Sequence, residues 1–269
     1  MPDLDWNQAT WSSDANWRDH GEEWSAHWGG TEALWREVIA PRIAPLLPAR
    51  RAVEIAPGHG RCTEWLRRSC DSLVGIDLNP ECVAACRSRF DGEQGLEFRV
   101  NDGRSLPGVE DASVDLVFSF DSLVHVDREA LSSYLREVAR VLAPGGAAFL
   151  HHSNLGSHRR LCALSRRLTG PPVPYRLGRG LRRSRLIHPA WRAEDVSWRT
   201  VRRDAAAAGL VCVSQELVNW ENRARLVDCF SVLRRAPDVD IGQALPEPIA
   251  NRGFMRQARQ IRARSLGSG

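Results

Sequence analysis

The sequence predicts an α/β fold, a largely parallel sheet with helices on both faces, preceded by a helical arm and interrupted by an insertion. Three observations predict it. Short apolar runs of strand length alternate with longer stretches of helical period, the pattern of strand-helix-strand units. The first run, Ala52 to Ala56, ends in a glycine loop, Pro57-Gly58-His59-Gly60, and passes into Cys62-Thr63-Glu64-Trp65-Leu66 at helical spacing. The second, Leu73-Val74-Gly75-Ile76, ends in the carboxylate of Asp77, 23 residues after Glu54.

The chain has 269 residues, 43% hydrophobic and 26% charged, with a net charge of +4. That length buries a large core and suits one sizeable domain with additions. No 18-residue apolar window occurs and the first residues are acidic, so a cytoplasmic location without membrane insertion is expected. The seven cysteines are an odd set without a Cys-x-x-Cys pair, which reads as reduced core thiols. All 37 basic residues are arginine, the mark of a GC-rich genome.

Residues 1–48 form the arm. It holds six of the ten tryptophans and is net −5. Trp17, Trp24, Trp28 and Trp35 share one face if the segment is helical throughout, and Gly29-Gly30 offers a hinge. The face either packs on the core or makes the arm a lid over a ligand, or an element exchanged with a second copy in a homodimer.

Residues 49–155 form the core. Gly58 and Gly60 permit a sharp turn and leave no side chain between the backbone and a ligand over the strand end. A carboxylate at Asp77 can accept both hydroxyls of a ribose. Thr63 stands where a dinucleotide fingerprint needs a third glycine, and there is no phosphate-loop lysine, so the ligand reads as a nucleoside without a pyrophosphate. Asn79-Pro80-Glu81 starts a helix running to Phe90 with a side-chain cap. Leu96 to Asn101 and Val114 to Ser119 are strands. Arg128 to Leu142 is amphipathic and covers the sheet, and Ala147 to His152 is the fifth strand, entered through Pro144-Gly145-Gly146.

On these motifs the sequence resembles the class I S-adenosylmethionine-dependent methyltransferases, from Arg51 to Ser153 and more weakly to Arg235. Glu54 to Gly60 is similar to that family's first motif and Gly75-Ile76-Asp77-Leu78-Asn79 to its second. Asn101-Asp102-Gly103 stands where the family places an acid near the adenine amino group, Asp115 to Asp121 matches its fourth strand, and Leu142 to Gly146 the turn before its fifth. The resemblance implies a Rossmann-like sheet and S-adenosylmethionine as cofactor, with S-adenosylhomocysteine as product. It implies a cofactor set of Glu54, Ala56, Gly58, Gly60, Asp77, Leu78, Asp102, Gly103 and Ser119, with His59 as a pocket wall.

Residues 156–203 are the insertion, with thirteen arginines against Glu194 and Asp195, net +11. Nucleic acid, an anionic substrate or the acidic arm would each suit such a cluster. Aromatic interleaving is sparse, which disfavours nucleic acid. Pro171-Pro172-Val173-Pro174 reads as an irregular connector. Residues 204–235 supply the last core helix and two paired strands, Leu210 to Leu217 and Leu226 to Leu233. In the tail, 236–269, a basic helix is expected from Arg252 to Arg264 and disorder at the terminal Gly-Ser-Gly.

Methyl transfer needs alignment, water exclusion and removal of one acceptor proton. Asp121 and His125 follow the fourth strand and would face one way on a helical turn. His151 and His152 are adjacent on a strand and point to opposite faces, which argues against a metal pair, and no metal is included in the expected site. The catalytic set is His125, Asp121 and His152, the base being His125 or His152 oriented by Asp121. The resemblance points to a small-molecule enzyme of bacterial secondary metabolism, modifying a sugar or aminosugar of the aminoglycoside type in antibiotic biosynthesis. The alternatives are an RNA or protein methyltransferase using the arginine segment, and an inactive cofactor-binding protein.

Overall fold

A computed structural model of the chain describes residues 2–169, 191–220, 225–240 and 245–266. The connector at 171–174, five of the insertion's thirteen arginines and the terminal tripeptide lie outside the described residues.

Eight strands form one sheet: β1 (Ala49–Ile55), β2 (Cys70–Asp77), β3 (Leu96–Val100), β4 (Val114–Ser119), β5 (Leu142–Ser153), β6 (Leu210–Asn219), β7 (Leu226–Arg235) and β8 (Ile249–Asn251). Their order is β3-β2-β1-β4-β5-β7-β6-β8. β1 pairs parallel with β2 and β4, while β7 runs antiparallel to β5 and β6. β8 adds a parallel edge strand beyond β6; the tail sequence, Pro-rich and short of β-branched residues, did not announce it. This is the α/β, Rossmann-like sheet expected from the sequence, with helices on both faces. The order reverses at β1 and β4, so the crevice outside their C-terminal ends is where such sheets receive ligands.

Alternating strand residues divide the core into two layers. Val53, Ile55, Val117, Ala148 and Leu150 face the helices Arg128–Val141 and Trp198–Ala207. Ala52, Phe118 and Phe149 face the opposite way, toward Leu34, Ile39 and Ile43 of the arm and Phe254 and Ile261 of the C-terminal helix Phe254–Leu266. The Ser197 side chain caps the helix that begins at Trp198, with Thr200 completing a capping box. Asn79 differs from expectation: it precedes the helix Pro80–Arg89, but its side chain makes no cap.

The arm is not one helix. It comprises α1 (Leu4–Trp11), a 3-10 segment Glu22–Trp28, and a helical stretch from Thr31 whose residues Trp35–Ile39 form a π turn. Gly21 and Gly29 adopt left-handed φ of 89° and 88° and bound the 3-10 segment, so the expected common tryptophan face is split. Trp28 and Trp35 enter the core, Trp28 against Trp220 and Phe254 at centroid distances of 5.1 and 6.0 Å. Trp6, Trp11, Trp17 and Trp24 instead gather at the C-terminal rim of the sheet, over the crevice of their own chain.

Candidate active site

A cavity of about 630 Å³ lies between the ends of β1, β2 and β4 and the arm, within the range of about 300–1,000 Å³ usual for small-molecule sites. Its floor begins with the loop after β1. Ala56, at φ +55°, donates its N–H to Ile76 O at 2.7 Å. Gly58 follows at φ +60°, and a Cβ there would lie 2.4 Å from Trp17 Cη2. Its glycine is required by the indole that lies on it.

Asp77 is 4% exposed. Its Oδ2 accepts the Gly58 N–H at 3.0 Å and its Oδ1 the Asn79 N–H at 2.9 Å. Burial holds its acidity below that of an ordinary carboxylate, raising its pKa against the lowering effect of these amides. The Leu78 amide acts on it as well; a carboxylate has about four acceptor sites, so acceptor capacity remains for a ribose hydroxyl in the cavity that Asp77 lines. Glu54 is also buried and accepts the Thr63 hydroxyl at 2.5 Å; burial pushes its pKa up to about 7. Leu78 and Gly103 face each other across the adjoining wall, where a Cβ on Gly103 would meet Leu4 at 2.6 Å.

Beyond β4, Asp121 adopts φ +61° and donates its N–H to His151 Nδ1 at 3.0 Å. Its Oδ2 accepts from Arg61 Nη2 at 2.9 Å, and Arg192 Nη2 lies 3.9 Å from Oδ1. Arg192 is in turn fixed by Asp228, through Nε and Nη2 at 2.9 Å each. Burial alone would raise Asp228, but Arg192 and His151 outweigh it and hold the carboxyl well below the usual range.

His125 closes the rim on the 3-10 turn Leu123–His125. Its Nδ1 is bonded to the Trp191 carbonyl; a carbonyl only accepts, so Nδ1 carries the hydrogen and Nε2 the lone pair. Burial, with Arg192 nearby, pushes its pKa down to about 4, which keeps the ring neutral at physiological pH. Its ring packs against Trp11 and Trp6 at 5.3 and 6.0 Å.

The cavity brings together Glu54, Ala56, Gly58, Asp77, Leu78, Gly103, Asp121 and His125. Five other expected positions are engaged elsewhere. Gly60 serves packing, since a Cβ there would meet Phe90 at 2.6 Å. His59 is a seat for the arm rather than a wall, its ring stacked on Trp17 at 4.4 Å and 7°. Asp102 is exposed and caps its own turn, Oδ1 accepting from the Arg104 and Ser105 amides and the Ser105 hydroxyl. Ser119 Oγ donates to Ile55 O at 3.0 Å and ties β4 to β1. His152 is fully buried on the face away from His151; Nδ1 meets Ser153 O and Nε2 meets Ser231 Oγ. Asp121 also does not orient His125, because Arg61 and Arg192 take its carboxylate while the Trp191 carbonyl takes the imidazole.

Sequence reasoning missed Arg61, Arg192, Trp191 and Trp220, which line the cavity. Arg61 follows Gly60 directly and its place in the loop was a usable signal. Arg192 is one arginine among thirteen in its segment, with nothing local to distinguish it.

Among the described residues no helix is long and apolar enough to cross a membrane. Residues 53–150 match the family described as "Methyltransferase domain". The chain is 32% identical over 129 residues to a phthiotriol/phenolphthiotriol dimycocerosates methyltransferase of Mycobacterium ulcerans, covering 47% of this chain and 45% of that one. It is 32% identical over 118 residues to a demethylmenaquinone methyltransferase of Corynebacterium kroppenstedtii, covering 44% and 48%. The chain thus spans about half the length of these relatives. Among solved structures it is similar to the N-methyltransferase NodS of Bradyrhizobium japonicum in complex with S-adenosylhomocysteine, with a TM-score of 0.55, 15% identity and coverage of 86% and 97%. An S-adenosylmethionine-dependent methyltransferase from Methanosarcina mazei gives 0.53, 18% identity and coverage of 72% and 97%. Residues 53–150 thus match a methyltransferase domain, and the sheet order around the cavity is that of the fold these solved structures share.

Proposed function

We propose that the chain is an S-adenosylmethionine-dependent methyltransferase acting on a small molecule held between the strand ends and the arm, with a sugar or aminosugar ring as acceptor. The carrying observation is Asp77: a buried carboxylate at the end of β2, with acceptor capacity left over, beside a left-handed loop and lining a cavity of about 630 Å³.

When bound, S-adenosylmethionine would supply an electrophilic methyl group for in-line transfer to an acceptor nitrogen or oxygen, with its sulfur as leaving group. Asp77 would hold the ribose hydroxyls, and Glu54 lines the same pocket. His125, neutral and fixed by the Trp191 carbonyl, offers Nε2 to the acceptor proton as that proton becomes acidic along the reaction. Trp11, Trp17 and Trp24 exclude water above the site, which favours displacement over hydrolysis.

The relatives' names specify lipid and quinone acceptors, but the family match ends at residue 150. The arm and the segment around Arg192 lie outside it, and they cover the acceptor side of the cavity. Indole faces suit a sugar ring, and a cavity of about 630 Å³ has the size of a small-molecule site. Transfer of labelled methyl groups to three pools tests this: aminosugars and aminoglycosides, lipids and quinols, and total bacterial RNA. Label in the first supports the proposal, label in the second replaces the acceptor class, and label in RNA alone overturns a small-molecule function.

A further inference from the structure

Three indoles of the arm line the cavity with their hydrogen-bonding edges already used. Trp11 Nε1 donates to Asn7 Oδ1 at 3.2 Å, Trp17 Nε1 to Trp11 O at 2.7 Å and Trp24 Nε1 to Asn16 O at 3.0 Å. The Trp11 ring lies 5.8 Å from Trp17 and 5.5 Å from Trp24, at interplanar angles of 54° and 77°. The rings are therefore locked at steep angles to one another and offer carbon surface alone. Such surfaces receive either apolar groups or cations.

Charge favours the cation. Glu23, Glu54, Asp77 and Asp121 line the cavity with Arg61 and Arg192, and those arginines are held by Asp121 and Asp228. Asp77 and Glu54 belong to the strand ends and the cofactor side. Glu23 belongs to the arm, next to Trp24 in the chain. Its Oε2 accepts the Gly21 and Asp19 N–H groups at 3.1 and 3.3 Å, and its Oε1 is buried with no hydrogen-bond partner among the described residues. An apolar occupant would leave the carboxylate's charge uncompensated; a positive nitrogen over the indoles would be drawn toward it.

Resting on the methyltransferase reading above, we propose that Trp11, Trp17, Trp24 and Glu23 form a subsite for a positively charged nitrogen of the acceptor, an ammonium or alkylammonium group. Recognition combines the indole faces with the Glu23 carboxylate, and the acceptor class narrows to amines.

The test titrates the full chain with choline and with its uncharged isostere 3,3-dimethylbutan-1-ol, following tryptophan fluorescence. S-adenosylmethionine and S-adenosylhomocysteine are titrated in parallel. Choline is expected to saturate at least tenfold more tightly than the isostere. Glu23→Gln and Trp24→Leu should each weaken choline at least fivefold and leave both cofactor forms within twofold, while Trp24→Phe restores choline binding. Equal affinity for the two probes, no saturable choline binding, or variants without effect on choline would overturn the subsite. Loss of S-adenosylmethionine affinity alone in Trp24→Leu would assign the cage to the cofactor's sulfonium and also overturn it. Choline binding with no binding of either cofactor form would retain the subsite and overturn the methyltransferase reading.

Discussion

Arg61 and Asp121 form a buried ion pair, Nη2 to Oδ2 at 2.9 Å, with side chains only 9% and 13% exposed. The second arm of the guanidinium, Nη1, donates to Ser25 Oγ at 2.8 Å. One side chain from the glycine loop thereby links the rim after β4 to the arm. Replacing Arg61 by Met leaves Asp121 in a buried site without its principal partner. A loss on the order of 3 kcal/mol is expected, measured by urea denaturation, and Arg61→Met with Asp121→Asn should recover part of it. A silent single variant would show that the pair does not hold the arm.

Asp77→Asn preserves shape while removing acceptor capacity and charge. S-adenosylhomocysteine affinity should fall at least tenfold, about 1.4 kcal/mol, by titration calorimetry. Unchanged affinity would remove Asp77 from the cofactor site.

The two candidate histidines separate cleanly. His125→Gln removes the lone pair at the rim, and turnover should drop about a hundredfold with cofactor affinity retained. His152 does not line the cavity, so a folded His152→Gln should keep turnover within a few-fold. The reverse pattern would move the chemistry to β5.

Acid should act through these same rings. Burial, the main cause, lowers His152 from 6.5 to about 4 and likewise His125. Between those values the unfolded chain binds protons that the native state refuses, so stability present above pH 6.5 is lost as pH falls toward 4. Glu54 works oppositely: raised from 4.5 to about 7, it is protonated first in the native state and stabilises as pH falls through that window. Comparison with His152→Gln cancels Glu54. The wild-type chain should lose on the order of 3 kcal/mol more than the variant between pH 7.5 and 4, by denaturant melts at each pH.

Gly58→Ala would require a Cβ at left-handed φ and 2.4 Å from the Trp17 ring. The conformation alone costs about 1–2 kcal/mol, and the clash displaces the indole. A shift in tryptophan emission together with faster proteolysis of the arm is expected; an unaltered spectrum would mean that Trp17 does not rest on the loop.

Much of this architecture is local and therefore readable in the chain. The run from Ala52 into Pro57-Gly58 and the strand ending at Asp77 declare themselves through period, glycine and a terminal carboxylate, and both strands and the intervening loop form there. The helix at Arg128–Val141 follows from its apolar spacing, with Leu131, Leu135 and Val138 buried. The expected class of cofactor rests on the same short motifs, because a strand-end carboxylate and a glycine turn need only their own neighbours.

What the side chains do once they arrive was decided by tertiary structure. The sequence could not divide the arm's tryptophans, since Gly21 and Gly29 break the segment and send Trp28 into the core while Trp17 and Trp24 cover the crevice. It placed Asp121 beside His125, but Arg61, 60 positions away, and Arg192 claim the carboxylate, and the Trp191 carbonyl claims the imidazole. Asp102, Ser119 and His152 carry suitable chemistry at suitable positions, yet nearer backbone groups and hydroxyls satisfy them first. Local period and turn chemistry fix where strands begin and end; the competition of buried polar groups for partners distant in sequence fixes which of them remain to face a ligand.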